Sequence, residues 1–174
     1  MAVRLPPTAL ALLLALTLAA GCSGVDSLSA DAPKLSDAER DDVRAQVEKA
    51  IEQQRFNLAW NQEVQAGADR ERLERVAVEA LRARSRHAPS MFTELRERHG
   101  GLSADARTKV TLQTDAAKQE GLWSRAVQIE LMTADDPPAY AGAWAVYRAA
   151  PPDQAPDLLA AITDAKAAHA ESAD

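Results

Sequence analysis

Apolar residues are distributed along this chain in two ways. Between Leu10 and Ala20 they form the run LALLLALTLAA, interrupted only by Thr17. From Ser36 onward they recur every three or four positions, the spacing of one face of an α-helix. Residues 23–34, SGVDSLSADAPK, lie between and show no period. No stretch after residue 35 sustains apolar/polar alternation, so no strand is expected. The pattern predicts an all-α domain over residues 36–174, made of short antiparallel helical hairpins. A regular stack and an irregular bundle both satisfy it.

Helix boundaries follow from capping chemistry. Ser36-Asp37-Ala38-Glu39 is a capping box, in which the hydroxyl and the carboxylate each satisfy an otherwise unpaired backbone N–H. Val43, Val47, Ala50, Ile51 and Leu58 follow at helical spacing, with Phe56, Ala59 and Trp60 widening the face. A break is expected near Gln54–Asn57, and Gly67 is a natural stop. Asp69 caps the next helix, whose stripe is Leu73, Val76, Ala77, Ala80 and Leu81. Pro89 marks another start, with Met91, Phe92 and Leu95 inward, and Gly100-Gly101 ends it. Ser103 caps a helix carrying Ala106, Val110, Ala116 and Ala117 inward. Gly121 separates it from one built on Leu122, Trp123, Ala126, Val127, Ile129 and Met132. Asp136-Pro137 predicts a further start, with Tyr140, Ala143, Trp144 and Tyr147 following. Pro151-Pro152 breaks the chain again, and Asp153 to about Ala170 form the last helix around Leu158, Leu159 and Ile162.

The predicted caps Ser36, Asp69, Ser103 and Asp136 are 33, 34 and 33 residues apart. Such a period is the mark of stacked helical hairpins. The segment Phe56–Val64 also matches Trp123–Leu131 in its aromatic, alanine, glutamate and aliphatic positions. Gly121, Trp123, Ala126 and Pro138 make the chain resemble a degenerate tetratricopeptide repeat, with Phe56 and Ala59 matching in the first unit. The resemblance implies a stack over residues 36–150 with a concave binding face. Thr114 and Thr133 depart from it, standing where that family places small residues, and residues 69–102 fit it poorly.

The early apolar run has a different meaning. Eleven helical residues cover about 16 Å, against about 30 Å of membrane hydrocarbon. That length suits the hydrophobic region of a secretory signal. Ala19, Ala20 and Gly21 precede Cys22, the one cysteine in the chain. This arrangement resembles a bacterial lipoprotein signal, although Leu18 lies four rather than three positions before the cysteine. The resemblance implies removal of residues 1–21 and lipidation of Cys22. Residues 22–35 then form a lipidated, flexible tether. Acyl chains on Cys22 would hold the protein at a membrane, since each buried methylene contributes about 0.8 kcal/mol. Ser23 after the cysteine favours the periplasmic face of the outer membrane in a diderm host.

Composition narrows the function. The formal charge is −6, and Arg4 is the only charge in residues 1–21. An acidic mature chain without a large basic face argues against nucleic-acid binding. His87, His99 and His169 are isolated, so no metal or other cofactor is expected. Asp41-Asp42 and Asp135-Asp136 read as carboxylates at helix starts, where the helix dipole favours negative charge. No catalytic constellation appears. Trp60, Trp123 and Trp144 lie on apolar faces as core residues. The arginine-rich stretch is the better candidate site: Arg72, Arg75, Arg82 and Arg86 fall along one helix side, away from the apolar stripe. They suit an anionic partner, unless Glu71 and Glu79 simply lace them into a solvated face.

These readings lead to a non-enzymatic cell-envelope lipoprotein, a tethered helical module that binds another envelope protein or acts as a scaffold. The alternative is a carrier of a small apolar ligand or envelope polymer, which requires an apolar pocket near the tryptophans.

Overall fold

In the computed structural model the described residues are 35–135 and 139–171. They carry eight helices and no strand: α1 (Asp37–Glu52), α2 (Phe56–Gln65), α3 (Arg70–Arg82), α4 (Ala88–His99), α5 (Ala104–Gln119), α6 (Trp123–Met132), α7 (Ala141–Ala149) and α8 (Ala155–Glu171). The signal, Cys22, the tether up to Lys34, the Asp136–Pro138 signals and residues 172–174 lie outside the described residues.

Consecutive helices pair as hairpins: α1 with α2, α3 with α4, α5 with α6, and α7 with α8. The turns inside the first three share one chemistry. The N–H of Arg55 donates to the Ala50 carbonyl, that of Ser85 to Ala80, and that of Leu122 to Ala117. Each bond closes the end of its helix across a residue in left-handed conformation: Gln54 (φ 57), Arg84 (φ 58) and Gly121 (φ 74). The three accepting alanines are buried, at 2%, 0% and 4% exposure. A small side chain there lets the turn fold back without leaving a void.

Hairpins then pack side by side. The second helix of one meets the first helix of the next at α2/α3 and α6/α7, while α3 lies on α5, α4 on α6, and α6 on α8. The interior is one apolar cluster. It includes Val47, Phe56 and Trp60 from the first hairpin, Leu73, Leu81, Phe92 and Leu95 from the second, and Val110, Val127 and Ile129 from the third. Val146, Leu158 and Ile162 complete it from the fourth. Burying one such side chain contributes about 1.5–3 kcal/mol. Truncating fully buried Leu81 to alanine would cost about 2–5 kcal/mol, depending on how far its neighbours relax.

Some predicted inward positions face outward. Leu58, Leu122 and Leu159 are 36%, 39% and 41% exposed, and Ala116 is exposed as well. Leu58, Ala116 and Leu159 are each one residue from a buried neighbour and Leu122 precedes its helix, so the core takes only the narrower stripe. Conversely, Glu63, Glu74, Thr114 and Thr133 are buried. Thr114 donates to Glu130 at 2.7 Å and Thr133 to the Ile129 carbonyl at 2.7 Å. The two threonines are therefore satisfied polar groups within the stack.

The fourth hairpin departs from the period. Its first helix begins at Ala141, five residues after the predicted cap Asp136. Tyr140 occupies the cap position in left-handed conformation (φ 42, ψ 43) and has only 6% of its surface exposed. Burial of this ring holds a backbone conformation that a tyrosine otherwise avoids. Gly142 lies so close to Glu130 that a β-carbon there would overlap the carboxylate, and so α7 approaches α6 where no side chain intervenes.

Candidate functional site

The helix α3 starts at Asp69, whose side chain accepts the Arg72 N–H at 3.1 Å. Its stripe of Leu73, Val76, Ala77, Ala80 and Leu81 is buried. The residues left over, Glu71, Glu74, Arg75, Val78 and Arg82, border a trough whose opposite wall is α5. Toward the start of both helices this trough encloses about 610 Å³, between Arg70, Glu74 and Arg75 on one side and Ser103, Asp105 and Lys109 on the other. Toward their ends lies a smaller recess of about 190 Å³, lined by Arg82, Arg84, Gln113, Glu120 and Arg125 among others.

Charges in the larger part are matched. Glu74 is 4% exposed. It accepts from Arg70 Nε at 2.9 Å, the Ser103 N–H at 2.6 Å and the Ser103 hydroxyl at 2.5 Å. Arg70 also donates to the Gly101 carbonyl at 2.9 Å. The Ser103 oxygen in turn accepts the Ala106 N–H at 3.2 Å. One buried carboxylate thus joins α3 to the start of α5. The α5 cap is tied further along the chain too, because Asp135 accepts the Leu102 N–H at 2.9 Å and pairs with Arg107 at 2.6 Å. Asp135 therefore ties the start of α5 to the far end of its own hairpin and is not merely a helix-start charge.

The sequence-predicted arginines separate into two groups. Arg72 lies 2.8 Å from the buried Glu63 carboxylate of α2. Arg75 makes a two-point fork with Glu48 of α1, both contacts at 2.5 Å. That hydrogen-bonded carboxylate raises the Arg75 pKa first, with the charges of Glu48, Glu79 and Glu63 adding and burial opposing. Arg75 thus takes Glu48 of another helix and not its sequence neighbour Glu71. Lys109 is likewise matched, 2.6 Å from Asp105, which raises its pKa by hydrogen bond and charge. Arg82 and Arg86 stand apart from these clamps. Arg82 is exposed on the smaller recess, and Arg86 lies in the α3–α4 turn with Nε 3.4 Å from His87 Nε2.

Two arginines of the recess escape sequence reasoning. Arg84 follows the helix, so counting along a helix side passes over it. Arg125 comes from α6, in the next hairpin, and no local signal links it to Arg82. It donates to the Leu81 carbonyl at the end of α3, at 3.0 Å. Its pKa is lowered, first by burial and then by the nearby Arg84 charge, with Glu120 opposing.

Trp60 is core and donates to Glu94 at 2.7 Å. Trp123 and Trp144 are half-buried against the same core. Among the described residues no group of three or more His, Cys, Asp or Glu side chains is placed to hold a metal ion, and no helix is long and apolar enough to cross a membrane. Scans against protein-family profiles, curated proteins and solved structures find no match to this chain.

Proposed function

We propose that this chain is a bacterial cell-envelope lipoprotein whose helical-hairpin stack is a protein-interaction or scaffold module. The part played by the membrane rests on the sequence around Cys22. The interaction role rests mainly on one observation: the trough between α3 and α5 is open and lined by charged side chains from two hairpins. An open charged trough suits a polar partner segment, whereas an apolar carrier needs an enclosed apolar site. The tryptophans line neither part of the trough, which ranks the carrier reading second. We read the protein as non-enzymatic and as binding no cofactor and no nucleic acid, on the grounds of its acidic charge and its scattered histidines.

Site-specific crosslinking in the envelope tests the interaction role. A photoreactive residue replacing exposed Glu71, in the trough, should capture an envelope protein that the same residue replacing exposed Leu159 of α8 does not. Equal capture from both positions, or from neither, overturns the proposal. Anchoring has a separate test. Cys22→Ser should leave the signal uncut by the lipid-dependent peptidase and release the protein from lipid-mediated membrane attachment. Normal processing and membrane retention of that variant would exclude the lipoprotein reading.

A further inference from the structure

The recess at the ends of α3 and α5 has a composition unlike the rest of the trough. Arg82, Arg84 and Arg125 converge on it, against the single carboxylate of Glu120. Glu120 is 3.7 Å from Arg84, and the two side chains are 60% and 61% exposed, so solvent screens that pair. Arg82 has no ion pair among the described residues. Arg125 is held in place by its bond to the Leu81 carbonyl, beside the like charge of Arg84. Elsewhere on α3 the pattern is opposite, since Arg70, Arg72 and Arg75 each meet a carboxylate within 2.9 Å.

Backbone conformation supplies a second distinction. Arg84 holds φ 58 at the turn position that Gly121 fills in the next hairpin. A side chain in this conformation costs about 1 kcal/mol relative to glycine. Uncharged Gln54 holds the same conformation (φ 57) in the first hairpin, so what distinguishes the Arg84 turn is the guanidinium it sets beside the recess.

We propose that Arg82, Arg84 and Arg125 form a binding site for a phosphate-class oxyanion. Guanidinium forks match tetrahedral phosphate oxygens in pairs, and three of them around one recess supply more donors than a single oxyanion needs. Arg125 is the preorganised member, and Arg82 and Arg84 close from the exposed side. The oxyanion is free phosphate or the phosphate of an anionic lipid headgroup, and the same three donors serve either. This inference does not depend on the interaction role of the larger trough.

The test uses the chain from residue 22 onward carrying Cys22→Ser, so that neither acyl chains nor the apolar run of residues 10–20 drives vesicle binding. The first probe is inorganic phosphate, followed through the arginine side-chain NMR signals. The second is sedimentation with vesicles of equimolar phosphatidylglycerol and phosphatidylcholine, against vesicles of phosphatidylcholine alone. Phosphate should shift Arg82, Arg84 and Arg125 saturably and leave Arg44 of α1 unmoved. Arg82→Gln should weaken binding about tenfold, the loss of one charge-assisted contact. Arg84→Gly should weaken it similarly while raising Tm, a combination that a purely structural role for Arg84 does not produce. Saturable shifts with phosphate and no sedimentation identify free phosphate as the ligand. Sedimentation that requires phosphatidylglycerol and is lost in Arg82→Gln identifies the headgroup. The proposal is overturned if neither probe binds, or if Arg44→Gln weakens binding as much as Arg82→Gln.

Discussion

The two ends of the α3/α5 trough use the same residue types to opposite effect. At the start of the helices, Glu74 draws Arg70 and Ser103 onto one buried carboxylate, and Gly101, Leu102, Arg107 and Asp135 extend the network. At the far end, three arginines line a recess with one exposed carboxylate, which pairs with Arg84 alone. Buried and fully bonded charge holds hairpins in register, because a carboxylate deprived of its donors in that setting is costly. Exposed charge with few partners contributes little to folding and remains available for a ligand. Arginine content therefore says little by itself; what distinguishes the ends is where the carboxylates fall.

The largest expected effect is at the clamped end. Glu74→Gln should lower unfolding free energy by about 2–3 kcal/mol, since Arg70 and the Ser103 N–H lose an ionised acceptor. Glu120→Gln, at the other end, should stay within about 0.5 kcal/mol of the parent. Urea denaturation of both variants measures the contrast, and equal losses would break it. Next come the glycines. Gly101 (φ 130) has Asp135 Cγ 2.9 Å from where a β-carbon would stand, whereas Gly121 (φ 74) has nothing within 4 Å. Gly101→Ala should cost about 2–3 kcal/mol through strain and disruption of the Asp135 clamp, and Gly121→Ala about 1 kcal/mol from backbone conformation alone. Arg84→Gly should move the other way, gaining up to about 1 kcal/mol, seen as a higher Tm in calorimetry.

The smallest effect concerns pH. Glu39 of the α1 capping box has its pKa lowered, mainly by the Ser36 hydroxyl and then by the Ser36 N–H. A carboxylate with a depressed folded pKa stabilises the fold above its unfolded value. That contribution disappears as pH falls through the folded value. Glu39→Gln should therefore flatten slightly the acid limb of a Tm-against-pH curve. An unchanged limb would mean that the box contributes no stability in solution.

Much of the fold was legible in the pattern of residues. Caps at Ser36, Asp69 and Ser103, stops at Gly67, Gly100 and Gly121, and the proline at the start of α4 all fall where local chemistry requires. The fourth hairpin starts later than its Asp136-Pro137 signal predicts, because the start of α7 follows burial of the Tyr140 ring and has no side-chain cap. At the site, Arg82 was legible as an exposed helix-side arginine, while Arg72 and Arg75 looked the same in sequence and proved to be clamped. Arg84 and Arg125 had no signal, since one leaves the helix and the other arrives from α6.

The two serine caps mark the boundary between what the sequence determines and what tertiary structure decides. In α1 the acid that completes the cap is Glu39, three residues on, and the Ser36 N–H reaches it at 2.8 Å. In α5 the same position is Ala106, and the acid is Glu74, 29 residues back on α3. A local bond requires only that one turn of helix form, so its partners are written side by side in the chain. A bond between hairpins requires the hairpins to pack first. The first six helices, the caps at Ser36, Asp69 and Ser103 and the period of the first three hairpins were therefore set by the sequence itself. Packing alone decided which charges are consumed as clamps and which remain at the recess.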